Sequence, residues 1–197
     1  LAPVDASAPP KKLTDNPAWD TQPAFSPDGK TLAYLAMKRA GYEADRYAIM
    51  LRAWPDGTAK ELAPAWDRSP QNIAWSPDGK TLYAAADNLG QSSLFAIAVA
   101  TGAARVAVEP GTVSDPSPAG DVILYGLDHL KSPVELYTVR PDGSGARKIT
   151  AINDAKVAAA RMGDFEQFTF KGWNNETVYG YVVKPADFEP GSKYPVA

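Results

Sequence analysis

Short apolar stretches, some alternating with polar residues and some continuous, recur along the first 150 positions, and clusters of turn residues separate them. Runs of this length and pattern are typical of β-strands. The pattern predicts a mainly β protein with three groups of four strands. The first group is 22–25, 31–36, 47–52 and 59–63; the second is 73–75, 81–85, 93–98 and 104–108; the third is 114–116, 122–125, 134–139 and 147–150.

Four copies of the tripeptide Pro-Asp-Gly lie next to these predicted strands, at residues 27–29, 55–57, 77–79 and 141–143. Proline presets the backbone for the first corner of a tight turn, and aspartate tolerates the second corner. Glycine then takes the left-handed conformation that closes a hairpin. Each copy therefore predicts a hairpin loop.

Two of the turns belong to a longer repeat. The heptapeptide Ser-Pro-Asp-Gly-Lys-Thr-Leu occurs at 26–32 and again at 76–82, and the tetrapeptide Pro-Ala-Trp-Asp occurs at 17–20 and 64–67. A degenerate third copy begins at Ser117. Periods of roughly 40–50 residues with four short strands each are typical of β-propeller blades. We therefore predict a partial propeller over residues 1–150, with about three blades.

Residues 11–14 resemble the segments that end the first and third predicted blades, at 60–63 and 147–150. We expect them to form an outer strand of a fourth blade whose inner strands lie upstream. Because an outer strand without partners leaves a bare edge, we expect the chain to be part of a longer protein.

The pattern changes after residue 150. We predict a linker over 151–164, two further strands at 165–171 and 177–184, and the opening of a third strand at 194–197. The chain stops inside that apolar strand, which again suggests a longer protein.

These features together resemble the prolyl oligopeptidase family of serine peptidases, particularly its bacterial dipeptidyl aminopeptidase and acylaminoacyl peptidase types. The resemblance rests on the Ser-Pro-Asp-Gly-Lys-Thr-Leu repeats, on the hairpin ending Val-Tyr-Gly-Tyr-Val-Val-Lys-Pro at 178–185, and on Lys-Tyr-Pro-Val at 193–196. It implies that residues 165–197 begin an α/β-hydrolase domain. It also implies that the propeller gates access of peptide substrates to the active site, with no cofactor.

A hydrolase of this type needs a nucleophile on a Gly-x-Ser-x-Gly elbow, with Asp and His partners. No such elbow occurs here, and the single histidine, His129, lies within the third predicted blade. We assign no catalytic residue to this chain and expect no catalysis from it alone. The triad is expected on a continuation or a companion chain; homo-oligomerisation stays open.

The segment 37–46 is long and charged for a hairpin connection, and its Glu43, Asp45 and Arg46 form a candidate substrate-binding cluster. In relatives that remove dipeptides, propeller carboxylates hold the free amino terminus of the substrate. A buried ammonium needs such an anionic partner. The alternative is a solvated hairpin tip with internal ion pairs.

The net charge, the apolar runs and the acidic residues argue against three other kinds of function. The net charge of −3 gives no basic face for nucleic acid, and no apolar run is long enough to span a membrane. The acidic residues show no metal-binding spacing, so we predict no metal.

We expect the recurring Trp-Asp pairs to pack between blades, with the carboxylates bonding backbone amides, and His129 to lie in a loop. The resemblance slightly favours a periplasmic or secreted protein. The alternative function is a non-enzymatic binding propeller of the Tol-system type.

Overall fold

The computed structural model describes residues 1–196 and divides the chain into two compact units. Unit 1 comprises Leu1–Ala86 and Phe95–Arg105, and unit 2 comprises Asp87–Leu94 and the chain from Val106 onward. The strands of the first two predicted blades are β1 (Asp20–Phe25), β2 (Thr31–Ala36), β3 (Ala48–Ala53), β4 (Ala59–Leu62), β5 (Ala74–Trp75), β6 (Thr81–Asn88), β7 (Gln91–Ala98) and β8 (Ala104–Val108).

The later elements are β9 (Thr112–Ala119), β10 (Val122–His129), β11 (Ser132–Val139), β12 (Arg147–Lys148), α1 (Asp154–Ala159), β13 (Phe165–Lys171) and β14 (Thr177–Val183). A single 3-10 turn over Trp173–Asn175 joins the last two strands.

Unit 1 contains a four-stranded antiparallel sheet in the order β1-β2-β3-β4, as in a propeller blade. The two Ser-Pro-Asp-Gly turns have the same internal hydrogen bonds. In the first, the Ser26 hydroxyl donates to Asp28 at 2.6 Å and accepts the Thr31 N–H at 2.9 Å. Ser76 repeats both distances with Asp78 and Thr81. The turn residues thus bind one another as well as bending the chain.

The core of unit 1 forms where the apolar faces of β2 and β6 meet the β7 residues of the unit. Alternating side chains place one set of residues inward on each strand. Trp66 packs edge-on against Phe95, with ring centroids 5.0 Å apart. The cluster includes Ala33, Leu35, Ile49, Leu62, Leu82, Ala84, Phe95 and Ile97.

Unit 2 is built on the antiparallel sheet β9-β10-β11-β12, which buries Ile123, Tyr125 and Val139. A parallel bridge joins Ser92 of β7 to Thr112 of β9. Strands β13 and β14 form a separate two-stranded hairpin.

Glu135 of β11 is a buried acid, with 2% of its surface exposed. Its carboxylate accepts the hydroxyl of Thr150 and the N–H groups of Ile152 and Asn153, the latter at 2.7 Å. The Thr150 hydroxyl, followed by the Asn153 N–H, lowers the pKa of Glu135 despite its burial. Glu135 therefore fixes the segment that enters α1.

Most predicted strands are confirmed, and two predicted strands and one predicted turn conformation are wrong. Residues 11–14 form no strand; the Leu13 carbonyl accepts the Arg52 side chain at 2.7 Å. Residues 194–196 form no strand either, and Ala197 lies outside the described residues. Gly57 does not have the left-handed conformation that Gly29, Gly79 and Gly143 adopt. Glycine is needed there for space, since a Cβ would lie 2.6 Å from the Ala53 Cβ.

Candidate functional site

The loop between β2 and β3 carries the three predicted binding residues. Asp45 turns inward, and its Oδ2 accepts the N–H groups of Lys38 and Arg39 at 2.8 Å each. These two backbone bonds, first that of Arg39 and then that of Lys38, lower the pKa of Asp45. Arg39 also stacks over the Tyr42 ring at 3.7 Å. Asp45 therefore holds the loop in shape.

Arg46 points to a different partner. Its Nη2 contacts Glu61 Oε1 at 2.5 Å, and its Nη1 donates to the Trp66 carbonyl at 3.4 Å. Lys38 reaches the other Glu61 oxygen at 3.1 Å. Burial acts to raise the pKa of Glu61, but the hydrogen bonds from Arg46 and Lys38 outweigh it and leave the pKa lowered. Sequence analysis did not single out Glu61, because it lies in β4 and only the fold brings it to the loop.

Glu43 lies exposed on the same loop. Of the three predicted residues, it alone has no hydrogen bond or ion pair described for its side chain. The structure thus places Asp45 and Arg46 in separate internal interactions. Glu43 is therefore the one of the three that the loop leaves exposed.

The Trp-Asp pairs differ from each other. Trp66 is packed as predicted, but the prediction is wrong for Trp19, whose surface is 62% exposed. Asp20 accepts the side-chain amide of Asn16 at 2.6 Å, and Asp67 pairs with Arg68. Both carboxylates therefore bond side chains, and the prediction that they bond backbone amides is wrong.

A second candidate site lies entirely within unit 2. It is a cleft of 770 Å³, here called the hairpin cleft, lined by residues 90–91, 110–112 and 127–130, by Tyr137, and by Phe165, Gln167 and Tyr181 of the β13–β14 hairpin. His129 lies in its lining as the last residue of β10, and not in a loop as predicted. Its Nδ1 accepts the Lys131 N–H at 3.2 Å. Sequence analysis missed this site because the lining comes from segments far apart in the chain.

Close contacts hold the β13–β14 hairpin against the β6–β7 turn. Gln167 Nε2 donates to the Leu89 carbonyl at 2.6 Å and to the Tyr181 hydroxyl at 3.2 Å. Gly90 has a φ of +82°, and a Cβ there would lie 2.8 Å from Gln167 Nε2. Lys131 pairs with Asp164 just before β13, at 2.5 Å. The walls of the hairpin cleft are therefore tied together by polar contacts.

The described part of the chain has neither a metal-binding cluster nor a membrane-spanning helix. Residues 1–196 contain no group of three His, Cys, Asp or Glu side chains arranged to hold a metal ion. They also contain no helix long and apolar enough to cross a membrane.

The blade-like sheets followed by a separate hairpin define a partial β-propeller joined to further strands, and the comparisons with known proteins agree. The chain is 32% identical to dipeptidyl-peptidase 5 of Porphyromonas gingivalis over 178 residues, covering 90% of this chain and 26% of that protein. It is 30% identical to dipeptidyl-peptidase 5 of Aspergillus fumigatus in an alignment 215 positions long, which covers 100% of this chain and 29% of that protein. No protein-family model matches. The chain thus spans under a third of the length of these relatives.

Solved structures show the same fold. Pyrococcus horikoshii acylaminoacyl peptidase superposes with a TM-score of 0.67 at 20% identity, over 85% of this chain and 25% of that one. TolB from Acinetobacter baumannii gives 0.59 at 21% identity, over 76% of this chain and 36% of that one. The predicted resemblance to dipeptidyl and acylaminoacyl peptidases of the prolyl oligopeptidase family is confirmed, as is the mainly β, propeller-type fold.

Proposed function

We propose that this chain is the propeller portion of a serine peptidase that removes dipeptides or acylated residues from the amino termini of peptides. The observation that carries the proposal is the likeness to dipeptidyl-peptidase 5 of Aspergillus fumigatus, which extends over the whole chain. In this proposal residues 1–150 are the propeller, 151–164 the linker and 165–197 the start of the hydrolase domain. The propeller restricts access to an active site carried elsewhere, on a continuation or a companion chain.

The β13–β14 hairpin favours this proposal over a non-enzymatic binding propeller. A propeller that only binds a partner has no need of a hydrolase-type hairpin, whereas the match to the fungal dipeptidyl-peptidase 5 includes these strands. The likeness to TolB shows a shared fold and no more.

The experiment compares this chain with the whole protein. A fluorophosphonate probe, which labels activated serines, should label the whole protein and leave the 197-residue chain unlabelled. The whole protein should release a reporter from free-amino or amino-acetylated dipeptide substrates, and the preference between them identifies the type of peptidase. Absence of both labelling and release from the folded whole protein would favour the binding propeller.

Amino-terminus recognition by Glu43, Asp45 and Arg46 is a finer proposal. Glu43 is the exposed carboxylate of the loop, while Asp45 and Arg46 shape it through Lys38, Arg39 and Glu61. In the whole protein, Glu43→Gln should raise KM for free-amino substrates and leave acetylated substrates unchanged. The control Glu176→Gln changes an exposed glutamate in the connection between β13 and β14. Equal kinetics for Glu43→Gln and the wild type would reject the role of Glu43.

A further inference from the structure

We propose that the hairpin cleft binds one large apolar or aromatic side chain of an extended peptide and discriminates against acidic side chains. The inference deepens the proposed function and rests on it, because a peptide is the ligand that a peptidase supplies. No residue of the cleft belongs to the predicted Glu43–Arg46 cluster, so this would be a separate contact with the peptide.

The size and surface of the cleft suit such a side chain. Its volume of 770 Å³ lies within the range of about 300–1,000 Å³ typical of ligand sites. Leu130 is 53% exposed and Phe165 is 38% exposed, although both are large and apolar. Covering them with a ligand would remove apolar surface from water, which is favourable.

One wall is aromatic. The rings of Phe165 and Tyr181 meet edge to face, with centroids 6.0 Å apart and planes inclined at 65°. A third aromatic ring, supplied by a ligand, can contact these two in the favourable edge-to-face or offset-stacked geometry. Tyr137 lines the same cleft. An aromatic side chain should therefore bind more tightly than an aliphatic one of similar size.

Two polar side chains of the lining form hydrogen bonds within the walls of the cleft. Gln91 Oε1 accepts the Gly111 N–H at 2.6 Å, and Gln167 donates to Leu89. His129 accepts through Nδ1, so in its neutral form Nε2 carries the hydrogen. Since His129 is exposed, this N–H can donate to a peptide carbonyl. A donor at the rim of a largely apolar cleft suits a peptide backbone with its side chain inserted.

Charge sets the selectivity. The lining includes Asp128 and contains neither lysine nor arginine. Lys131, which follows the 127–130 segment, is already paired with Asp164. An acidic ligand side chain would enter without a cationic partner and near a like charge, which is unfavourable in a partly desolvated site. Neutral side chains avoid this cost.

The test uses two blocked dipeptides, acetyl-Phe-Ala-amide and acetyl-Asp-Ala-amide, titrated into the isotope-labelled chain and followed by NMR. The Phe probe should shift amide signals at 90–91, 110–112 and 127–130, and the Asp probe should bind at least about fivefold more weakly. These probes need no catalytic serine. If the Phe probe fails to bind, or binds no better than the Asp probe, the proposal is overturned.

Two variants locate the binding. Leu130→Trp fills the cleft and should weaken binding of the Phe probe more than about tenfold. Leu130→Ala removes one contact and should weaken binding about threefold to fivefold, because methylene-scale changes in apolar pockets have effects of this order or larger. The matched control is Val134→Ala, which is similarly exposed at 51% but lies outside the lining. Unchanged binding by both Leu130 variants would overturn the proposal. A whole protein that binds the Phe probe but cleaves no peptide would overturn the peptidase function alone.

Discussion

The Ser26 hydroxyl should contribute measurably to stability, because it is buried in a turn and makes two hydrogen bonds. Ser26→Ala removes the acceptor of the Thr31 N–H and the donor to Asp28. Leaving a buried donor unsatisfied costs about 1–3 kcal/mol. Since the turn lies at the surface and water can partly replace the hydroxyl, we expect a loss of about 1–2 kcal/mol.

Ser76→Ala supplies an internal replicate. Ser76 is buried to the same degree, with 5% of its surface exposed against 7% for Ser26, and its two hydrogen bonds have the same lengths. Ser117→Ala is the matched control from the degenerate third repeat. Ser117 is exposed and makes only a 3.3 Å bond to the Asp115 carbonyl. Its substitution should change stability by less than about 0.5 kcal/mol.

Urea unfolding measures the difference. With a slope of about 2 kcal/mol per molar urea, a loss of about 1–2 kcal/mol moves the midpoint by about 0.5–1 M at unchanged slope. Ser26 lowers the pKa of Asp28, so its stabilising effect is present above about pH 3.9, the unfolded value, and is lost as the pH falls through the lower folded pKa. The gap between wild type and Ser26→Ala should therefore narrow in acid. Equal midpoints for Ser26→Ala, Ser76→Ala and Ser117→Ala would refute this reasoning.

Three other substitutions test the core and the hairpin contacts. Leu82→Ala, at a fully buried position, should lower the free energy of unfolding by about 2–5 kcal/mol, as measured by urea unfolding. Gly90→Ala should speed amide hydrogen exchange in β13 and β14, because its Cβ would displace Gln167; Gly120→Ala, at a φ of +63° with open space around it, should not. Glu135→Gln should lower the melting temperature at neutral pH. That difference should shrink as the pH falls below about 4.3 through the lowered folded pKa, and a constant difference would contradict the assigned role of the carboxylate.

The turns made much of the fold predictable. Strand β2 begins two residues after Gly29, as expected, because the preceding tripeptide fixes where the hairpin reverses. The same reasoning was less successful where polar residues enter strands. Strands β6 and β7 extend through Asn88 and Ser92, which lie between the strands predicted at 81–85 and 93–98. These residues are buried, and Asn88 donates to Ser93 at 3.3 Å. Buried polar side chains in a strand leave no hydrophobic signal in the sequence.

The candidate sites show a similar limit. Sequence analysis identified the charged loop 37–46 because its charges are contiguous, but not that Glu61 would engage Arg46 from another strand. The hairpin cleft had no local signal, since Gly90, Leu130 and Tyr181 lie far apart in the chain. Positions of this kind become neighbours only through tertiary packing, and a pattern of residue types along one segment does not contain that information.

The path of the chain between its two units limits how the protein can be shortened. It passes from one unit to the other after Ala86, after Leu94 and after Arg105. A chain ended at Arg105 would keep all of unit 1 and also residues 87–94, without their partners. Ser93, fully buried and donating to the Glu109 carbonyl at 3.2 Å, would then face solvent. A soluble truncation of unit 1 should therefore replace the tip of the β6–β7 hairpin with a short polar turn rather than simply end the chain earlier.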